Sequence, residues 1–433
     1  MRSAFTQSTL LCLPLLVYAL GTTVSDSPAG AAASALDGYA AEYLGLVADL
    51  GALSPESVDF HTGAPGALAR VNATSLRAIE DRSRALTEHI RSTHGRSTTT
   101  GVRARRLAAQ LNAVAWRSAQ LNGEPFSFDE ELARLFALNR EQMDRPADGN
   151  APRVLTQLER RLPGNGSLQE RLTAYQRRFV VPRGRLHAVV MGALDACRNQ
   201  TRRLMALPEG ERITIEYVAE RPWSGYSVYR GGYHSLVQIN REVPLTVGQV
   251  LNLACHEAYP GHHVYNSVRD QQFVRERGWP EMRALPLFSP EGFRAEAAAN
   301  AAAAIVFRSD ERVEVLQRSL FPLIGMDSRE AERYVQVCDL VDSLADDTTA
   351  VVLKYLAGTL AAPDATRALR QRALMEQPEA LLAYLDRDRA YALAYTWGRD
   401  RLLAGLGDRR ELKDRAAYLT RLMTSLEWDL GRQ

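Results

Sequence analysis

The sequence predicts a mostly α-helical fold with a small β-sheet, and two observations support this prediction. Apolar residues recur at helical spacing through most of the chain, whereas strand-like alternation is confined to two short stretches. The 433 residues would suffice for several domains, but the polar breaks are too short to act as flexible linkers. We therefore expect one helical unit over residues 34–433, with an N-terminal half (34–150) and a second half (151–433).

Helices are predicted where apolar residues follow a period of about 3.6 residues. The predicted helices are Ala35–Leu53, Leu76–Ser92, Thr100–Leu121, Phe128–Leu138, Leu155–Leu162, Ser167–Phe179, Arg183–Ala206, Val247–Cys255, Glu291–Arg308, Ser328–Leu360, Ala362–Met375, Pro378–Ala404 and Arg410–Thr424. Two strands, Ile213–Val218 and Ser235–Asn240, flank the turn-rich Gly231-Gly232. Such a strand either pairs with an extended peptide or forms a purely structural hairpin, and the pattern favours neither.

The N-terminus resembles a secretory leader. Arg2 precedes an apolar run from Thr9 to Leu20 that is too short to span a bilayer and is followed by small residues. We expect residues 1–33 to be a signal peptide, the mature chain to have no transmembrane segment, and the protein to be exported to the periplasm or beyond. The alternative is a disordered leader on a cytoplasmic protein.

Charge and cysteine content exclude some classes of function. The net charge is only +2 and no dense basic patch is present, which argues against a nucleic-acid partner. Beyond Cys12, the cysteines are Cys197, Cys255 and Cys338, an odd number with wide spacing that does not indicate a disulfide framework. Cys255 is therefore expected to be a packed core thiol.

The segment His256–His263 reads His-Glu-Ala-Tyr-Pro-Gly-His-His and follows an apolar, helix-like run. In the zinc motif His-Glu-x-x-His, two histidines one helical turn apart bind the ion and the glutamate acts as general base. This chain has Pro260 at the position of the second histidine. In an unbroken helix, residue i+6 points about 120° away from residue i, and residue i+7 lies roughly 10 Å further along the axis. The helix must therefore break for the histidines to share one ion.

Pro260-Gly261 supplies the chemistry for that break, because proline removes a backbone donor and glycine tolerates unusual dihedral angles. We expect the break to bring His262 beside His256 as the second metal ligand, with Glu257 as general base. His263 is the fallback ligand, or a hydrogen-bond donor to a ligand or to the substrate.

A third protein ligand is needed, because catalytic zinc usually has three protein ligands and a water. Two glutamates are available downstream. Glu291 has a structural explanation: it follows the N-cap Ser289 and Pro290, where the helix dipole favours a carboxylate by roughly 0.3–1 kcal/mol at an exposed site. Glu296 enters an alanine-rich run without such an explanation, so we expect it to be the ligand, with Asn300 as its partner one turn later. Glu291 remains the alternative.

A wider resemblance covers the chain from about Ala35 to the C-terminus. It is carried by Phe126–Glu131, Pro222–Tyr226, Gly231–Tyr233, His256–His263, Ser289–Glu291 and Arg389–Tyr395. On these segments the chain resembles the domain of unknown function 885 family, assigned as zincin-like metallopeptidases with the same Pro-Gly insertion. The resemblance implies a large helical zincin-like metallopeptidase fold. It also places the ligand carboxylate at Glu296, although this chain has Ala297 where the family usually has glycine.

Four further residues are candidates for contact with the substrate. Zincin-type peptidases often supply a tyrosine hydroxyl to the developing oxyanion. Tyr395 is our first candidate and Tyr391 the second, because both lie in a segment that matches the family. Tyr233 and His234 adjoin the second predicted strand and are candidates for substrate binding.

These patterns predict a metal-dependent hydrolase that binds one divalent ion, with Zn²⁺ favoured, and cleaves a peptide or a small related amide. Its ligands are His256, His262 and Glu296, and Glu257 is its general base. One alternative is a metal enzyme of another reaction type, such as a non-peptide amidohydrolase or a lyase. Another is a non-catalytic binding protein stabilised by a metal with four protein ligands.

Overall fold

The computed structural model describes residues 28–61, 75–93, 99–143, 149–407 and 411–426, and most of them are helical. The helices are α1 (Pro28–Leu53), α2 (Leu76–Thr93), α3 (Thr99–Leu121), α4 (Phe128–Phe136), α5 (Ala151–Arg161), α6 (Leu168–Arg177), α7 (Leu186–Leu204), α8 (Val247–Glu257), α9 (His262–Arg269), α10 (Pro290–Val306), α11 (Ser309–Val315), α12 (Phe321–Ile324), α13 (Ala331–Asp342), α14 (Ala345–Leu356), α15 (Ala362–Ala373), α16 (Pro378–Asp388), α17 (Trp397–Leu406) and α18 (Leu412–Thr424). The strands are β1 (Val58–His61), β2 (Arg212–Val218), β3 (Gly225–Tyr229), β4 (His234–Asn240) and β5 (Ala284–Pro286). Residues 1–27 of the expected leader lie outside the described residues, and α1 begins before Ala35.

The strands form two small sheets. In the larger sheet the order is β2-β4-β3, with β2 parallel and β3 antiparallel to β4. The two predicted strands correspond to β2 and β4, whereas β3 was not predicted because its start at Gly225 follows a turn-like Pro-Trp-Ser sequence. The smaller sheet pairs β1 with β5 in antiparallel fashion. Consequently β3 is an edge strand, and its first residues face α8.

The apolar core consists of two clusters. One is formed mainly by α1, α2 and α3, and the other by α4 and most of the elements that follow. The two clusters meet along α3, because Val114 belongs to the first and Trp116 packs against the second, whereas the predicted halves meet at residues 150 and 151. A buried ion pair joins the first cluster to the rest, with Arg103 Nε 2.7 Å from Glu281 Oε1.

The alanine-rich α10 is the central helix of the larger cluster and is buried along most of its length. Its small side chains permit close packing: a Cβ added to Gly398 on α17 would lie 2.9 Å from the Cβ of Ala297. Helix α8 also packs against α10. The helices that carry His256 and Glu296, α8 and α10, are therefore neighbours in the core.

Two long helices were predicted as continuous, but each is interrupted in the structure. The segment predicted as Ser328–Leu360 is divided into α13 and α14, and Pro378–Ala404 is divided into α16 and α17. The second interruption is a 3₁₀ segment, Arg389–Ala394, which begins at a residue with φ of 46°, outside the helical region. Periodicity continued through both interruptions and did not reveal them.

The prediction for Cys255 was wrong, because Cys255 forms a disulfide bond with Cys197. Their Cα atoms are 5.5 Å apart, and the bond joins α7 to the last turn of α8. The two residues are separated by 58 positions, so only the packing of α7 on α8 brings them together. None of the described helices combines the length and the apolar character needed to cross a membrane.

Candidate metal centre

His256 and His262 lie next to each other because the chain breaks between α8 and α9. Helix α8 ends at Glu257 and α9 begins at His262, with the predicted Pro-Gly break between them. The centroids of the two imidazole rings are 4.8 Å apart. Gly261 makes this turn possible, since an added Cβ would lie 1.7 Å from the carbonyl oxygen of His256. Only glycine permits so close an approach of the two backbone segments.

Glu296 on α10 completes a set of three donors. Its Oε1 is 3.4 Å from His256 Nε2, and its Oε2 is 3.4 Å from His262 Nε2. Donor atoms at about 2.0–2.1 Å from a tetrahedral zinc ion lie about 3.4 Å from one another. Each imidazole is therefore at the distance from a Glu296 oxygen that two ligands of one zinc ion have, and the two imidazoles face different oxygens of the carboxylate.

Two neighbours orient the Glu296 carboxylate. Asn300 Nδ2 donates a hydrogen bond of 2.9 Å to Oε1, and the Tyr391 hydroxyl donates one of 3.2 Å to Oε2. Burial opposes ionisation of Glu296, but the imidazoles of His256 and His262 outweigh it and hold the pKa at about 2. Such outer partners are typical of carboxylates that ligate metals.

The two histidines differ in their ionisation. Burial lowers the pKa of His256 to about 4. For His262, burial acts in the same direction, but the Glu296 carboxylate outweighs it and raises the pKa to about 9. At neutral pH and without an ion, His262 therefore holds the proton that a metal would have to displace.

Glu257 lies beside this set, with Oε1 at 4.0 Å from His256 Nε2. Burial raises the pKa of Glu257 to about 8, well above the usual range of a carboxyl. A donor atom from each of His256, Glu257 and His262 lies within 4.8 Å of the others. The edge strand approaches the same carboxyl closely: a Cβ added to Gly225 on β3 would lie 3.1 Å from Glu257 Oε1.

The two candidate tyrosines have different environments. Tyr391 is 4% exposed, and its hydroxyl is engaged by Glu296. Tyr395 is 39% exposed and lines a cleft together with His256 and Glu257. Burial and the nearby Glu296 carboxylate raise the pKa of Tyr395 well above its usual value, so its hydroxyl stays protonated and can donate. The hydroxyl of Tyr395 also forms a hydrogen bond with Glu296, so the two tyrosines differ in exposure, and Tyr395 is the one that a molecule in the cleft can contact.

His263 does not face the two other histidines. It is fully buried, its Nδ1 lies 2.8 Å from Ser235 Oγ, and its Nε2 lies 3.1 Å from Glu211 Oε2. The carboxylate accepts from Nε2–H, which leaves Nδ1 to accept from the serine hydroxyl. With both nitrogens engaged, His263 anchors the start of α9 to β4, and the fallback role as a ligand does not fit its position.

Glu291 is also removed from the metal centre. It lies in the first turn of α10 after the N-cap Ser289 and Pro290, as predicted, but it is buried and not exposed. The side chain is only 6% exposed and pairs with two arginines, at 2.9 Å from Arg269 and 3.4 Å from Arg106. It also accepts a hydrogen bond from the Tyr265 hydroxyl. Burial opposes ionisation, yet these arginines hold the pKa of Glu291 far below its usual range. Glu291 therefore neutralises buried cations.

Tyr233 and His234 are not brought to the centre. They lie at the start of β4, whereas Gly225, which contacts Glu257, pairs with Ile239 near its end. His234 Nε2 lies 2.9 Å from Thr214 Oγ1, and Arg275 covers the Tyr233 ring. The predicted role of these two residues in substrate binding does not fit their positions.

A cleft of about 550 Å³ opens from the metal centre. Several of its lining residues were not predicted from the sequence: Trp223, Asn252, Arg312, Asp342 and Arg399. Asp59 was missed as well; it accepts a hydrogen bond of 3.4 Å from the Tyr226 hydroxyl and interacts with His262. Trp223 and Tyr226 lie in a segment that carried the family resemblance, but no pattern marked Asp59 or the two arginines.

Comparison with known proteins gives two similar solved structures. One is the "putative lipoprotein" of Colwellia psychrerythraea, with 16% identity, a TM-score of 0.48, and coverage of 81% of this chain and 67% of that chain. The other is a "putative lipoprotein of unknown function" from Shewanella oneidensis, with 13% identity, a TM-score of 0.46, and coverage of 84% and 76%. Likeness at this level establishes neither the fold nor the activity of this chain. No family model matches the sequence, and no curated protein matches it either.

Proposed function

We propose that this protein is a zinc-dependent hydrolase of the zincin-like type that cleaves peptide or related amide bonds. The observation that carries the proposal is the donor set of His256, His262 and Glu296, in which a carboxylate oxygen lies 3.4 Å from Nε2 of each histidine, a distance that two ligands of one zinc ion have. A carboxyl group with a raised pKa, Glu257, lies beside this set and faces the cleft. Perturbed carboxyl groups next to a donor set in a cleft are typical of catalytic centres.

His256, His262 and Glu296 would hold the ion. When bound, zinc lowers the pKa of a water molecule and polarises the substrate carbonyl. Its positive charge would also lower the pKa of Glu257 from the raised value, so that this residue reaches the ionised form that a base requires. A fourth protein donor would leave no place for water, and both nitrogens of His263 are engaged elsewhere. Glu257 is the remaining candidate for a fourth protein donor, with Oε1 4.0 Å from His256 Nε2, and the proposed enzyme requires that it act on the water and not on the ion.

Glu257 accepts a proton from the attacking water as the water oxygen forms its bond to the carbonyl carbon. The same carboxyl then donates that proton to the amide nitrogen as the C–N bond breaks. Tyr395 donates a hydrogen bond to the carbonyl oxygen, which gains negative charge in the transition state. The edge strand β3 lines the cleft at Gly225 and offers main-chain groups to an extended peptide.

We also propose that the protein is exported. The apolar run after Arg2 indicates a leader, and the Cys197–Cys255 disulfide is typical of proteins in oxidising compartments.

Metal analysis and product analysis test the proposed function. Protein purified without chelators should contain about one zinc ion per chain, and a library of short peptides should be cleaved at amide bonds. Removing the metal with a chelator should abolish cleavage, and adding zinc should restore it. Undiminished cleavage by metal-free protein would refute the proposal, as would zinc-loaded protein that cleaves none of the peptides.

A further inference from the structure

The far end of the cleft has a charge pattern that the proposed chemistry does not use. Arg312 on α11 and Arg399 on α17 both line the cleft, and both interact electrostatically with Asp342, the last residue of α13, which also lines the cleft. Two guanidinium groups therefore face the cleft at this end against one carboxylate.

The two arginines are held by partners outside the cleft lining. Arg312 pairs with Asp339, and Asp400 Oδ1 is 3.3 Å from Nε of Arg399. The Nε atom of Arg312 is buried and has no hydrogen-bond partner among the residues that the structure describes. The guanidinium groups are thus held in position by carboxylates, and the buried Nε of Arg312 is not accessible from the cleft.

The distance from the metal centre suits a short peptide. Arg312 and Asp342 line both the cleft and an adjoining recess of about 160 Å³, at the level of Gln249 on α8. From His256 to Gln249 the helix rises by about 10 Å. An extended peptide covers about 3.3 Å per residue, so about three residues fit between the metal centre and Arg312.

We propose that Arg312 and Arg399 bind a carboxylate of the substrate, namely the free C-terminus of a peptide whose last two or three residues occupy the cleft. Guanidinium groups suit this role, because their planar donors match the two oxygens of a carboxylate. This inference rests on the proposed function. The enzyme would then release short C-terminal fragments and not cleave within long chains.

A binding experiment separates this inference from the hydrolysis itself. Zinc-loaded Glu257→Gln protein is titrated calorimetrically with N-acetyl-trialanine that carries either a free or an amidated C-terminus. The free carboxylate should bind roughly tenfold to a hundredfold more tightly, the usual effect of charge-assisted hydrogen bonds. Adding Arg312→Gln or Arg399→Gln should remove most of this preference. Arg318→Gln is the matched control, because Arg318 is exposed and pairs with Glu314 on the surface.

The outcomes show which residues cause the preference for a peptide with a free C-terminus. An unchanged preference in both arginine variants would overturn the inference, because the carboxylate would then be bound elsewhere, for instance by the ion. Equal binding of the free and amidated peptides would also overturn it. An amidated peptide that ends in glutamate and binds as tightly as the free acid would overturn the assignment to the C-terminus, because the arginines would then bind a side-chain carboxylate. If the proposed function itself is wrong, the unmodified zinc-loaded protein will cleave neither the free nor the amidated peptide.

Discussion

The two glutamates of α10 allow a sharp comparison, because Glu291 and Glu296 are both buried carboxylates on the same helix. Glu291→Gln should lower stability and leave zinc affinity nearly unchanged. Removing one partner of a buried ion pair costs about 3–5 kcal/mol, and Glu291 is 2.9 Å from Arg269. With an unfolding entropy of about 2.1 cal/mol/K per residue, this corresponds to a decrease of about 3–6 °C in Tm.

Glu296→Gln should have the opposite effect: it should lower zinc affinity and leave stability nearly unchanged. It removes a donor 3.4 Å from both imidazoles, so zinc affinity should fall by more than about a hundredfold, because losing even an outer partner costs about 10–100-fold. Competition against a chelator gives the zinc affinity of each variant, and thermal unfolding of the metal-free proteins gives the stability. If Glu291→Gln loses zinc while Glu296→Gln retains it, the assignment of the third ligand is wrong.

Three further predictions follow from the metal centre. Glu257→Gln should retain zinc but lose about 10²–10⁴-fold in kcat, because the amide cannot accept the proton of water; near-normal turnover would show that another group is the base. His262→Ala should lose zinc and His263→Ala should retain most of it, and metal analysis showing the reverse order would mean that the break between α8 and α9 is misplaced. Zinc binding at pH 7 should release protons, because the pKa of His262 is about 9 and that of Glu257 about 8 without the ion. Calorimetry in buffers of different ionisation enthalpy measures this release, and a binding heat independent of buffer would contradict the ionisation states described.

Each residue of the proposed donor set has a local signal in the sequence. Pro260-Gly261 stands where a histidine would be expected, so only a break could bring His256 and His262 together, and the structure has that break. Glu296 was chosen because no local structural reason explained it. Its alternative, Glu291, does lie in the first turn of α10, but the arginines that pair with it come from α3 and α9 and were not predicted. Partners this distant in sequence leave no pattern near the residue.

The rest of the cleft depends on tertiary packing. Arg312, Asp342 and Arg399 come from three different helices, and in sequence each is an ordinary charged residue on a helix. Asp59 lies about two hundred positions before His262, on a short strand that pairs only with another short strand. Periodicity and capping signals describe single elements, so they could not predict which elements meet at the cleft.

The Cys197–Cys255 bond makes the three-stranded sheet part of a closed covalent ring, because β2, β3 and β4 all lie between the two cysteines. Closing a loop with a sequence separation of 58 lowers the entropy of the unfolded chain by an amount equivalent to about 4 kcal/mol at 25 °C. The ring closes at the residue before His256, so one covalent junction fixes both the donor helix and the loop that contains the edge strand. Both cysteines are fully buried, so a thiol reductant reaches this bond only after α7 and α8 separate locally. In the folded protein the ring therefore stays closed and holds the edge strand near the imidazole, although neither cysteine belongs to the donor set.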